Sequence, residues 1–392
     1  MAFPMPKRLL LPATSVHSGA LVYDNWQLAK ASPDAWGIEI EHYLFTDAHI
    51  VDVCTAGPYE MLYTGAIWEE SPRPSHTLRI QYHLRDDEQD KLETKADRYT
   101  GMWLPDEWAA LLSLSLGVRV KAGGSVREFR PGEDPRGLPL MLQGRWRPPP
   151  IPLPHTQAIL PGLPERPASL TDPAVLTRFH EVSPSQSVAL VKAARSYQEA
   201  IWNVEAEPEQ TWLRLVAAVE AAAVEWDPLS ADPVERFRLA QPQAADLLTR
   251  EGGEALLGSI AEYLAPYMGA TRKFLDFLTT FRPEPPTIRP DFGLYNYENI
   301  QAYQRGLKRI YDYRSRALHA GTPMPRPMCL PPMRWGDGQY IETSIGLASS
   351  SFGSTWATED LPMMLHTFEH IVRGALLGWW QSLVPSAPTS TT

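Results

Sequence analysis

The chain has 392 residues, enough for two domains of ordinary size, each with a core of its own. An apolar fraction of 44% and 13 tryptophans exclude a disordered chain, and a formal net charge of -10 excludes a bulk electrostatic grip on nucleic acid, so any such contact has to come from a local basic patch. Two cysteines, Cys54 and Cys329, are too few for a disulfide framework or a four-thiolate zinc site and read as reduced thiols of a cytoplasmic protein.

Residues 1–144 read as a mixed, β-rich domain. The apolar run after Lys7-Arg8 is too short for a signal peptide, and nowhere does the chain approach the roughly 20 apolar residues of a membrane span. Alternation of apolar and polar residues predicts strands at Ile38–Leu44, Thr77–Tyr82 and Val118–Lys121. Pro105-Asp106-Glu107 is a good first turn for a helix that carries Trp108, Leu111, Leu112 and Leu116 and stops at Gly117. Gly123-Gly124 marks a turn, and without a following Gly-Lys-Ser/Thr it is no phosphate loop. The acidic cluster Asp86–Asp90 reads as a solvated loop.

Residues 145–174 form a proline-rich linker, which favours extended chain over helix or central strand. A helical region, 175–385, follows. Ser183-Pro184-Ser185-Gln186 combines an N-cap, a first-turn proline and a capping-box glutamine. A second helix after Pro208 carries Trp212, Leu215, Val216, Val219, Ala222, Ala223 and Trp226 on one face, with Glu220 beside it. Glu254–Phe281 reads as helix bent at Pro266. The stretch from Gly321 to about Glu359 reads as one long non-helical loop of the kind that often carries a lid or binding role. A last helix begins at Asp360-Leu361-Pro362, and residues 386–392 are a Ser/Thr tail expected to be disordered.

The chemistry concentrates on the helix between these segments. From Tyr297 to about Leu318, Ile300, Tyr303, Leu307, Ile310, Tyr311, Ala317 and Leu318 recur at three- and four-residue steps and predict one buried face. Arg314 falls on that face. An unpaired guanidinium there would cost several kcal/mol, so it must meet an anion, a partner chain or a wet cleft. His319 follows five residues later, and Gly321 is a natural stop. A histidine can give or take a proton near neutrality, and an arginine can hold two phosphate oxygens at once. Ser315 and Tyr311 add hydrogen-bond donors. Residues five apart on a helix diverge by about 140°. Either the helix unwinds before His319, or two copies of the chain assemble the site. A quieter reading pairs Arg314 with a buried carboxylate and leaves His319 as a cap.

The run Tyr311-Asp312-Tyr313-Arg314-Ser315-Arg316-Ala317-Leu318-His319-Ala320-Gly321, with Arg, four residues, then His, resembles the HEPN superfamily and its Apea-like branch. The family often has Gly directly after His, where this chain has Ala320. The resemblance spans roughly residues 175 to 385. It implies an all-α four-helix bundle and hence, with the first domain, an α+β chain. It also implies a homodimer that pairs two motifs, and RNA as partner, with no metal or other cofactor. The implied activity is endoribonucleolytic cleavage by 2'-hydroxyl attack, as in toxin and antiphage effectors, some of which are held by an antitoxin or other regulatory protein. Arg314, His319 and Ser315 would be catalytic, with Glu220 and Tyr311 as supporting groups. The alternative is a non-catalytic HEPN module that binds a nucleotide or a protein.

Arg305, Lys308, Arg309 and Arg316 make a positive stripe on the same helix, fitting an RNA guide or a solvated face equally well. Arg373, on the last helix, is a further phosphate contact in that scheme. His366 and His370 have zinc-ligand spacing but no evident third ligand, and read as helix-surface histidines.

Overall fold

The computed structural model describes residues 18–64, 71–84, 97–130, 133, 150–154, 156–163, 166–171, 174–227, 232–264, 269–345, 348–351 and 353–384. The first residues, the cluster Asp86–Asp90, most of the start of the proline-rich linker and the tail from 386 lie outside them. The chain is mixed α+β, with strands concentrated toward its N-terminus and helices toward its C-terminus. Two compact units emerge: one from Met1–His155, Gly162–Ala206 and Trp380–Thr392, the other from Thr156–Pro161 and Glu207–Trp379.

In the first unit α1 (Leu21–Ala31) precedes β1 (Ile38–Thr46), β2 (His49–Val51), β3 (Cys54–Ala56), β4 (Tyr59–Tyr63) and β5 (Arg73–Tyr82). Then come α2 (Leu104–Leu116), β6 (Lys121–Phe129), β7 (Pro167–Ser169), α3 (Ala174–Thr177) and α4 (Pro184–Asn203). The main sheet is antiparallel in the order β3-β4-β5-β1-β6. The helix α2 is apolar almost all round and is accordingly buried almost all round. Its Trp108 lies 4.3 Å, ring to ring, from Tyr59 of β4. The capping box on α4 is complete, with Gln186 N–H donating to Ser183 Oγ and Ser183 N–H to Gln186 Oε1.

Two expectations in this unit change. Val118–Val120 is not strand, because the segment serves to bury Arg119, whose Nη1 reaches Asp47 at 2.6 Å. Gly123 and Gly124 lie inside β6 instead of making a turn. A side chain at Gly123 would come within 2.8 Å of the Phe45 ring, so the glycine records close packing on the neighbouring strand.

The second unit holds α5 (Pro208–Trp226), α6 (Pro233–Ala240), α7 (Pro242–Leu264), α8 (Ala270–Thr280), α9 (Ile300–Ala320) and α10 (Leu365–Leu383), the last reaching its boundary at Trp379. Aromatic pairs join four of these helices around one core. Trp212 stacks on Phe368 at 4.9 Å, Phe277 meets Trp379 at 5.8 Å, and Phe274 meets Tyr311 at 5.1 Å. The hairpin α6–α7 has a smaller core of Phe237, Ala245, Leu257 and Ala261. The long stretch after Gly321 is not a single loop. It folds into β8 (Arg334–Gly336) with β9 (Gln339–Tyr340), and β10 (Ala348–Ser351) with β11 (Ser354–Ala357). Among the described residues no helix is long and apolar enough to cross a membrane.

Candidate functional site

The site is built on α9. Asn299 caps its start by accepting from the Ala302 N–H at 3.0 Å, and Gly321 ends it at φ 63° and ψ 17°. Between them the helix runs unbroken through His319 to Ala320. Its buried face is Tyr303, Gly306, Leu307, Ile310, Tyr311 and Tyr313. Ile300 and Leu318, expected on that face, are 38% and 54% exposed, because the packing neighbours do not extend to the helix ends.

Arg314 continues the buried face where it emerges toward solvent, and it has found an anion. Its Nη2 donates to Glu220 Oε2 of α5 at 2.6 Å. Tyr311 Oη donates to the other oxygen of the same carboxylate at 2.8 Å. The guanidinium also stands 5.5 Å from the Tyr311 ring centre. The side chains of Arg314 and Glu220 keep 20% and 23% of their exposure, so the pair is packed but wet. Burial, aided by the Glu220 carboxylate, pushes Tyr311 up to about 12, which keeps it a donor near neutrality. Glu220 thus fixes Arg314 through one nitrogen and leaves other N–H groups of the guanidinium able to meet a ligand.

His319 is exposed and Ser315 half-buried. With helix geometry intact, His319 projects about 140° away from Arg314. It lies instead about 60° from Arg316, on the side that carries the basic stripe.

The stripe forms a groove of about 430 Å³ lined by Arg305, Lys308, Arg309, Asp312 and Arg316. Two of its four cations are already paired. Lys308 Nζ is 2.9 Å from Asp312, and Arg309 Nη1 is 2.5 Å from Asp360. Arg316 lies over the Tyr313 ring at 4.6 Å. Neither Arg305 nor Arg316 has a carboxylate partner among the described residues. Asp312 was legible in the sequence as the i+4 neighbour of Lys308. Asp360 was not, since it comes from 51 residues beyond Arg309. Arg373 sits half-buried on α10 and is not part of the groove lining.

The histidine pair on α10 does not converge. His370 Nε2 donates to the Glu284 carbonyl at 2.9 Å, and burial pushes His366 down to about 4. Among the described residues no three His, Cys, Asp or Glu side chains gather in a way that could hold a metal ion.

No family model, no curated protein and no solved structure matches this chain.

Proposed function

We propose that the chain is an endoribonuclease of HEPN type, acting as a homodimer in which Arg314 of one copy and His319 of the other meet on one phosphate. The observation that carries this reading is the unbroken helix through His319, with Arg314 held on the opposite side by Glu220 and Tyr311. Within one copy the two groups diverge. Two copies facing each other can bring them together. Leu318, 54% exposed one turn beyond Arg314, gives that face an uncovered apolar side chain for the second copy.

The chemistry needs only groups of this kind. The 2'-hydroxyl of the substrate attacks the adjacent phosphorus while His319 takes its proton. A 2'-O–P bond forms and the P–O5' bond breaks. The 5'-oxygen leaves and is protonated from solvent, giving a 2',3'-cyclic phosphate and a 5'-hydroxyl. Arg314 neutralises charge on the phosphorane, and Ser315 is a nearby donor to it. The nucleophile belongs to the substrate, so the scheme asks for no metal. An effector of this kind fits a toxin or antiphage role, held in check by a regulatory partner.

The test is complementation. His319→Ala and Arg314→Ala should each lose most cleavage, by about 10²- to 10⁴-fold for the histidine. Mixed and re-equilibrated, they should recover about a quarter of the parental rate, because half of the dimers are mixed and each has one intact site. Folded, dimeric variants that stay inactive on mixing would sink the shared site. A folded His319→Ala protein that cuts as fast as the parent would remove the nuclease reading and leave a nucleotide- or protein-binding module.

A further inference from the structure

We infer that the groove on α9 takes a single strand of RNA by several consecutive phosphates, and that Asp312 and Asp360 tune it against mononucleotides. The inference rests on the RNA reading above but not on His319. Arg305 and Arg316, the groove cations without a carboxylate partner among the described residues, are eleven residues apart on one helix. At about 1.5 Å per residue that places them about 16 Å apart. A stacked strand advances about 3.4 Å per nucleotide, so the two guanidinia stand about five nucleotide steps apart, the reach of about six consecutive phosphates.

The middle of the groove is different. Lys308 is tied to Asp312 and Arg309 to Asp360, so a single phosphate arriving there must displace a carboxylate. A mononucleotide meets at most one free guanidinium at a time. A strand of about seven nucleotides, with six phosphates, reaches both. The cations lie along one side of one helix, a line suited to one phosphate backbone, and the line leads toward His319 at the helix end. Asp312 and Asp360 therefore act as built-in competitors that set a length threshold.

The experiment uses the full chain and fluorescently labelled 2'-O-methyl oligouridylates of two to ten nucleotides, which lack the attacking hydroxyl and cannot be cut. Anisotropy should show weak binding of the shortest and a rise that levels off near seven nucleotides. The slope of log affinity against log salt should be about -1.4 for two free cations, at about 0.7 per phosphate neutralised on a single strand. In the Asp312→Asn, Asp360→Asn double variant it should steepen to about -2.8 as four cations become available. That variant should bind the long oligomers about tenfold tighter, taking each released ion pair as worth about threefold. It should also soften the length step. Circular dichroism confirms that the double variant keeps its helices. Equal binding of the dinucleotide and the decanucleotide, or an unchanged slope and affinity in the double variant, would overturn the inference. A clear length step without cleavage of any RNA would defeat the nuclease reading alone. His319-dependent cleavage without a length step would defeat the groove alone.

Discussion

Arg119 in the first unit and Arg314 in the second each sit against a carboxylate, and the two pairs differ in what is left over. Arg119 is sealed. Its side chain keeps 2% exposure, Nη1 reaches Asp47 at 2.6 Å, Nε donates to the Ile201 carbonyl at 2.8 Å, and Glu205 stands 4.0 Å from Nη2. Nothing from solvent can reach it, so its charge ties the bend between β1 and β2 to the end of α4 and does no more. Arg314 is only four-fifths covered, and its carboxylate is shared with a tyrosine. A guanidinium held in place yet open to solvent can meet a phosphate. An arginine–carboxylate pair is a fastening in the one place and, in the proposed chemistry, a tool in the other, and exposure separates the two.

Predictions that break or sharpen this contrast can be ranked by depth. Arg119→Ala should cost the most, about 3–5 kcal/mol in urea denaturation, because Asp47 is left buried and uncompensated. A loss under about 1 kcal/mol would show that the interior around Asp47 admits water, and the contrast would fail.

Glu107 is a sealed titratable group of a second kind. It is fully buried, accepts from Thr100 Oγ1 at 2.6 Å and from the Val22 N–H at 2.8 Å, and burial raises it to about 8 against those hydrogen bonds. The folded chain then keeps a proton that the unfolded chain releases at about 4.5. Stability should therefore fall as pH rises from about 4.5 to 8 and level off above. The decline should reach a few kcal/mol, at about 1.4 kcal/mol per pH unit between the two ionisations. Glu107→Gln should flatten that window, and an unaltered pH profile of the urea midpoint would show that Glu107 is ionised in the fold.

Arg314→Ala should cost only about 1 kcal/mol of stability, since the pair it breaks is partly screened by solvent and Tyr311 still satisfies Glu220. A collapse of the helical signal would move Arg314 into the class of Arg119. Smallest of all, Lys308→Gln should change stability by under about 0.5 kcal/mol, because its pair with Asp312 is solvent-exposed. Its thermal midpoint should match that of the parent.

The elements easiest to read were those with local signals. Ser183 and Gln186 announced α4, Pro105 and Gly117 bracketed α2, and three- and four-residue steps outlined α9 almost to its ends. Val118–Val120 alternates as a strand would yet is none, because both valines are buried around an arginine that turns inward. Gly123-Gly124 misled because glycine marks close approach as readily as it marks a turn. The hairpins after Gly321 were hidden by their shortness, with strands of two to four residues that carry no period. Of the site, the Arg314–His319 spacing, the basic stripe and Glu220 beside the buried face of its helix stood in the sequence. The hydrogen bonds that join Arg314, Glu220 and Tyr311, and the Asp360 carboxylate on Arg309, did not.

The sequence by itself determined where α2, α4 and α9 begin and end to within a few residues, which face of α9 is apolar, and that an arginine interrupts that face, since capping and periodicity act over a few residues. Only the tertiary structure decided what that arginine meets, which cations of the stripe remain unpaired, and that α9 stays wound through His319. The partners of Arg314, Tyr311 and Arg309 lie 51 to 94 positions away in the chain, where no local pattern constrains the partner and packing alone selects it.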